Sequence, residues 1–428
     1  MNFEESSSYL LSLGNEVSAM KLGLENIRTL LAALDNPQND FLKVQVAGTN
    51  GKGSVCAFLD SICVGAGIKT GLFTSPHLIS ITERIKVGGV EISETDFALH
   101  AAKIREVSES LFAKGDLENI PTFFEQITAI TLSFFAEKKI ELAILETGLG
   151  GRLDATTAAN AEIVAITSID YDHQEYLGNT LTEIAAEKAA IIRADTKVVV
   201  GQQKREAELV IRGRCREVRV EPIFATTNIV TKKHDHGILR SNFRTEKANY
   251  LDVELGIPGR HQIQNAAVAI AVTELLSEFD FKITHEDIWL ALENVKHEGR
   301  MEFAGRFLFD GAHNPAGAKA LREYLDEFVD HPITMIFAAM NGKDVVEIGR
   351  ILFPNIENLI LTKPENSRAM EPDTMLNFFM HLGLKNIFLT TSVSEAIEVS
   401  GNIVSPDGLI CVTGSLYLVG EAKKMLNN

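Results

Sequence analysis

A chain of 428 residues, 45% hydrophobic and 23% charged, is long enough to build two globular cores. Its 58 acidic against 41 basic side chains leave a formal net charge of −17, which excludes a general nucleic-acid binder, because neutralising phosphates takes a surplus of lysine and arginine. Any anionic substrate must be held by a few local cations.

No apolar run reaches the roughly 18 residues that a membrane-spanning helix needs. The N-terminal "MNFEESSSYLLSLGNE" carries acids where a secretory signal carries bases, so a cytoplasmic protein off the membrane is expected. Cys56, Cys63, Cys215 and Cys411 are scattered and form no C-x-x-C pair, which predicts reduced, mostly buried thiols.

In chain order, "KVQVAG" (43–48) reads as a strand and "GKGSVCAFLDSICVGAG" (51–67) as a helix with Val55, Phe58, Leu59 and Ile62 on its buried side. "ELAILET" (141–147) and "AEIVAITSI" (161–169) are short apolar strands ending in polar residues, the place where α/β sheets put their chemistry. Thr180 and Glu183 form a capping box, and the helix after them sets Leu181, Ile184, Ala185, Lys188, Ile191 and Ile192 on one face. Between about 196 and 257, short runs such as "KVVVG" and "IVTKK" predict a small β-rich appendage.

Helices follow at 261–277 and 285–295, and from His297 a new strand and helix series begins with "RFLFDGA", "ITMIFAAM", "NLILTKP", "NIFLTT" and "GLICVTGS". The alternation predicts an α/β protein: an N-terminal P-loop ATPase-type domain over 1–296, with a mostly parallel sheet and the β appendage, and a smaller Rossmann-like domain over 297–428. There is no internal repeat.

"VAGTNGKGSV" (46–55) lies between a strand and a helix, the setting of a phosphate-binding loop. Gly48, Gly51 and Gly53 let the backbone curl and point N–H groups inward, the helix N-terminus adds about half a positive charge, and Lys52 can reach the phosphates. The usual hydroxyl after the lysine is displaced by Gly53 to Ser54. "LETGLGGRLDAT" (145–156) fails the dinucleotide pattern because Leu153 stands at the third glycine, but Glu146 closes an apolar strand, where a carboxylate can face magnesium held on ATP. Lys188 on an apolar helix face must be paired, deprotonated or modified, and a neutral amine there can take up carbon dioxide as a metal-binding carbamate; a stem that reaches past the apolar rim is the alternative. His173 is a further candidate ligand or an ordinary loop histidine.

Together with "GLENIRTLLAALDNPQ", "TSPHL", "ERI", "TFFEQITAI", "SIDYDHQEYLGNTLTEIAAEKAAII", "GRHQIQNAA", "FDGAHNP" and "VTGSLYLVGE", these segments run in order from about residue 22 to 420. The chain resembles the folylpolyglutamate synthase/dihydrofolate synthase family of the Mur ligase superfamily, whose own loop is GTNGKGS. The resemblance implies an ATP-dependent ligase that adds L-glutamate to a folate or dihydropteroate carboxylate. It implies ATP held by Gly48, Thr49, Asn50, Gly51, Lys52, Gly53, Ser54, Asn265, Arg300, Asp310 and His313, with Asn265 at adenine. Magnesium would sit on Ser75, Glu146 and His173, with Lys188 as a carbamate. Thr122, Phe124, Asp154 and Ala155 would surround the pterin and Ser415 the glutamate. Lys52, Lys188, His173 and Arg300 are the expected catalytic groups, potassium is a candidate activator, and a monomer is expected.

Four positions depart from the family: His297-Glu298 replaces Trp-Pro before Gly-Arg, Thr157 replaces an asparagine, and Gln45 replaces a histidine. Two other readings are a Mur-type ligase acting on a UDP-linked cell-wall precursor and an ATP-regulated folate carrier. "TSPHL", "TFFEQITAI" and a loop that begins by residue 46 argue against the first; ATP turnover dependent on glutamate and folate separates the second.

Overall fold

The computed structural model describes residues 1–14, 23–225, 231–233, 239–384 and 386–426. The largest sheet is built from β1 (Leu42–Ala47), β2 (Thr70–Phe73), β3 (Ile85–Val87), β4 (Val90–Glu91), β5 (Leu142–Glu146), β6 (Ile163–Ile166), β7 (Lys197–Val200) and β8 (Pro222–Phe224). Their spatial order is β4-β3-β2-β5-β1-β6-β7-β8. From β2 to β8 every neighbouring pair is parallel, and β3 and β4 add an antiparallel edge.

The central strands are buried and mostly apolar because both faces are covered, with Lys43 and Gln45 of β1 as buried polar exceptions. On one face, Val44, Val46 and Ile144 pack with Phe58 and Ile62 of the helix Lys52–Gly65 and with Ala266 and Ile270 of the helix His261–Leu276. On the other, Ala143 and Leu145 meet Ile127 and Ile130 of the helix Phe123–Lys138, and Val164 and Ile166 meet Ile184 and Ala185 of the helix Leu181–Ala189. The expected Thr180–Glu183 capping box starts that last helix.

The appendage is smaller than the sequence suggests. Lys197–Val200 is β7 of the main sheet, and a helix, Arg205–Val218, and β8 follow it. That helix buries only Ala207, Ile211 and Cys215, a stripe too thin to register against its many charges. The three-stranded antiparallel sheet comprises β9 (Thr231–Lys233), β10 (Leu239–Arg244) and β11 (Asn249–Glu254). Of the run "IVTKK", residues 229–230 lie outside the described ones.

The C-terminal sheet holds β12 (Glu302–Ala304), β13 (Phe307–Phe309), β14 (Ile333–Phe337), β15 (Asn358–Leu361), β16 (Ile387–Leu389) and β17 (Leu409–Thr413), ordered β12-β13-β17-β14-β15-β16. Only β12 runs antiparallel to its neighbour. All four cysteines are free and buried. No helix among the described residues is long and apolar enough to cross a membrane.

Two strand orders position the site. β1 has β5 on one side and β6 on the other, although the chain passes from β1 to β2 and returns, so the ends of β2, β5, β1 and β6 lie side by side at a topological switch point. The segments that follow β13, β14, β15 and β17 line the same cleft from the C-terminal side. Ile144 is fully buried at the centre of β5. Ile144→Ala is expected to cost about 2–5 kcal/mol of stability by urea denaturation, and a loss under about 1 kcal/mol would show that this sheet is not the core.

Candidate active site

One cleft of about 430 Å³ is lined by residues from both halves of the chain. Its floor is the loop after β1. Gly48 has φ 151° and a Cβ there would lie 1.8 Å from Thr167 Oγ1; Gly51 has φ 87° and its Cβ would lie 2.2 Å from Asn265 Oδ1. Both positions need glycine for conformation and for space.

The backbone N–H groups of Thr49 and Asn50 both donate to the Ser168 carbonyl, at 2.9 and 3.2 Å, so they tie the loop to the end of β6 rather than point into the cleft. The groups left for an anion are those of the first helical turn, Lys52, Gly53 and Ser54, which have no carbonyl within the helix to bond. Gly53 has its own reason: a Cβ would meet His297 Cε1 at 3.0 Å and Glu146 Oε2 at 3.5 Å. Lys52 Nζ rests on the Thr49 carbonyl at 3.3 Å.

Ser75 and Glu146, from the ends of β2 and β5, are brought together, with Ser75 N donating to Glu146 Oε2 at 3.1 Å. His173 lies in the same cleft with φ 50°. Burial, helped by the charges of Lys343, His313 and Lys52, outweighs the pull of Asp172 and pushes its imidazole down to about 3, so it is neutral. Its Nε2 faces Lys343 Nζ at 3.5 Å. Among the described residues no three His, Cys, Asp or Glu side chains form a cage for a metal. One carboxylate, one hydroxyl and a neutral imidazole are instead the sparse donor set that suits magnesium, which keeps ligands from water and nucleotide phosphates.

Lys188 is 5% exposed and donates to the Gly48 carbonyl at 2.9 Å. The amine therefore lies beneath the loop, and no snorkelling path to solvent is used. Burial first, and then the neighbouring Lys52 charge, push its pKa down to about 7.

The remaining expected residues also line the cleft. Asn265 Nδ2 donates to Gln262 Oε1 at 2.9 Å, while its oxygen packs on the loop. Asp154 accepts from Leu149 N at 2.9 Å and Thr156 N at 3.0 Å, so its carboxylate shapes the turn that carries Ala155. Thr122 caps the helix Phe123–Lys138, and the Phe124 ring lies where a Cβ on Gly148 would be, 2.6 Å away. Asp310 accepts from Met301 N and Ala312 N at 3.0 and 2.9 Å, and the Arg300 guanidinium lies against Gly311. Ser415 is buried and accepts from Tyr417 N at 3.2 Å.

Sequence reasoning missed Asp172, Lys343, Asn314 and Arg368. Asp172 Oδ1 is 2.5 Å from Lys343 Nζ, and its Oδ2 takes Asn314 Nδ2 at 3.0 Å and faces His313 Nε2 at 3.5 Å. Asn314 Nδ2 also reaches Asn50 Oδ1 of the loop at 3.0 Å. Burial opposes ionisation of Asp172, yet the His313 hydrogen bond and the His313 and Lys343 charges hold it well below the usual carboxylate range. Arg368 Nη2 donates to Tyr417 Oη at 3.0 Å. Asp172 stands next to His173 and Asn314 next to His313, the signal that could have found them.

Residues 46–273 match the model of the Mur ligase middle domain and residues 293–425 that of the dihydrofolate synthetase C-terminal domain. The chain is 31% identical over 432 residues to the dihydrofolate synthase/folylpolyglutamate synthase of Bacillus subtilis, covering 95% of each. It is also 31% identical over 433 residues to a probable bifunctional folylpolyglutamate synthase/dihydropteroate synthase of Haloferax volcanii, covering 99% of this chain and 50% of that protein. The chain thus spans about half the length of that relative, and 51% of its Halobacterium salinarum counterpart. A solved Mycobacterium tuberculosis folylpolyglutamate synthase complexed with ADP and AMPPCP superposes with a TM-score of 0.90 at 27% identity, covering 99% of both chains. With a cleft between two mostly parallel sheets and relatives matched along its length, the chain belongs to the folylpolyglutamate synthase/dihydrofolate synthase family of the Mur ligases.

Proposed function

We propose that the chain is an ATP-dependent ligase that joins the α-amine of L-glutamate to the carboxylate of dihydropteroate or of a folate. The observation that carries this reading is the convergence of the loop, Lys52 and Glu146 from one sheet with Arg300, Lys343 and Arg368 from the other on one cleft. The proposed boundary is 296/297, in the segment that joins the helix His285–Asn294 to β12. We take the protein to be a cytoplasmic monomer, with potassium as a candidate activator.

A carboxylate resists attack by an amine. Its oxygen takes the γ-phosphoryl group of ATP, ADP leaves, and the resulting acyl phosphate is an electrophile whose leaving group is phosphate. The free α-amine then adds to the carbonyl, and the tetrahedral intermediate expels phosphate to leave the amide and release a proton. Lys52, Arg300 and the first-turn N–H groups are placed to hold phosphate charge, so the protein's task is positioning and electrostatics. Magnesium on Ser75, Glu146 and His173 would supply further charge neutralisation to the nucleotide when bound.

Thr122, Phe124, Asp154 and Ala155 support the pterin reading because they line the cleft and Phe124 packs against the apolar Phe73. Ser415, Lys343 and Arg368, which line the cleft from the C-terminal side, support a glutamate site, where two cations suit an amino acid with two carboxylates. Asn265 is our candidate for adenine and Asp310 and His313 for the nucleotide.

Lys188 is read as a carbamate: a neutral amine adds carbon dioxide with loss of one proton, and the anion formed is stabilised by the adjacent Lys52. Lys188→Ala should keep the fold and lower kcat about a hundredfold or more, with partial rescue by short carboxylates. Wild-type turnover in this variant would remove the carbamate. The amine also makes a pH prediction. A free lysine titrates near 10.4; with the folded value near 7, the unfolded chain binds more protons between the two, stability rises with pH there, and the burial penalty is complete below about pH 7. Lys188→Met in carbon-dioxide-free buffer should therefore be more stable than the parent at pH 6, with an advantage that shrinks from pH 7 to 10. A pH-independent difference in urea midpoints would mean that the amine keeps its proton when buried.

The reaction itself is tested by mass spectrometry of products from Mg-ATP and L-glutamate, run in parallel on dihydropteroate and tetrahydrofolate. A mass gain of one glutamate on both substrates is the result for a bifunctional synthase, and on one it names the activity. ATP binding without any glutamylated product would leave a carrier.

A further inference from the structure

The segment between the helix His285–Asn294 and β12 carries the departure His297-Glu298 and is tethered on both sides. The His297 ring lies over the phosphate loop: a Cβ on Gly53 would sit 3.0 Å from Cε1 and 3.3 Å from Nε2, and Nδ1 is 3.4 Å from Ser54 Oγ. One residue on, Glu298 Oε2 accepts from Lys423 Nζ at 2.6 Å. Lys423, on the helix Leu416–Leu426, has only 8% of its side chain exposed and also binds both oxygens of Glu302, at 2.8 and 2.7 Å. Glu302 Oε2 in turn accepts from Gly299 N at 2.8 Å. Arg300 thus leaves the backbone between a contact to the loop and an ion cluster centred on the buried Lys423 of the C-terminal helix.

A mobile arginine would give up side-chain and backbone freedom each time it met a phosphate, and a linker already fixed removes that cost. We propose that His297 is a positioning residue for ATP: seated on Gly53 and Ser54, it holds the linker so that Arg300 meets the nucleotide phosphates, while Glu298 and Lys423 hold the linker's other side. The inference rests on the ligase reading and on the phosphate role of Arg300.

The test is steady-state kinetics of His297→Leu, His297→Gln, Arg300→Ala and the double variant His297→Leu/Arg300→Ala. His297→Leu should raise KM for ATP about tenfold and leave KM for L-glutamate within about twofold. His297→Gln, which keeps a side-chain hydrogen-bonding group for Ser54, should recover most of the loss. Because His297 acts through Arg300, the same substitution should add less than about twofold in the Arg300→Ala background. If His297→Leu misfolds, Glu298→Ala at an exposed position carries the same cycle, with an expected rise of about threefold that vanishes without Arg300. Losses that multiply independently while Arg300→Ala is itself impaired overturn the His297 proposal alone. An Arg300→Ala variant with unaltered ATP kinetics overturns the phosphate role of Arg300 and this proposal with it.

Discussion

Asp172, with 8% of its side chain exposed, takes an ammonium, an amide and an imidazole from the opposite side of the cleft. A carboxylate so far out of water is stable only if such partners are present, and stripping one from a buried pair typically costs about 3–5 kcal/mol. The arrangement of the two sheets therefore depends on this group. Asn314 extends the contact to Asn50, so the C-terminal half of the chain is registered on the glycine-rich loop after β1. At the periphery, Arg260 on one side grips Glu327 on the other with bonds of 2.6 and 2.7 Å, and Gly420 leaves no room for a Cβ against Leu78. These contacts bound the interface; Asp172 sets its centre.

The central strands β5, β6, β14, β15 and β17 were legible because each is buried along its length and reads as a mostly apolar run between polar ends, whereas the short edge strands β3, β4 and β12, which are partly or wholly exposed, give no such signal. The glycine-rich loop after β1 was legible because glycine is required at Gly48 and Gly51 for conformation and space together. The helix Arg205–Val218 was not, since three buried residues among many charges give too weak a periodic signal. Lys343 and Arg368 were illegible for another reason. Each is one cation in a polar loop, and only the order β13-β17-β14-β15 puts those loops side by side over the cleft.

Local pattern also misassigned some donors. A glycine-rich turn predicts inward N–H groups, but Thr49 and Asn50 spend theirs on Ser168. The tie links the end of β1 to the end of β6, the neighbour that also delivers Asp172 and His173. What the loop loses in direct donors it gains in fixed geometry, and the helix N-terminus and Lys52 remain to meet an anion.

The departures from the family pattern are compensated in pairs. Gln45 and Thr157, separated by most of the first sheet in sequence, meet with Gln45 Nε2 at 2.8 Å from Thr157 Oγ1, and the same amide lies 3.0 and 3.1 Å from the hydroxyls of Thr156 and Thr147. A buried histidine there would need different partners, so the two changes are intelligible only together. Glu298 likewise has its complement in Lys423, far along the chain. Where a proline would stiffen the linker by fixing φ, this chain fixes it with an ion cluster that also binds the last helix. The same constraint, a linker with few conformations, is met by a covalent ring in one solution and by electrostatics in the other. The second joins the linker's geometry to the packing of the C-terminal helix, and through His297 to the phosphate loop.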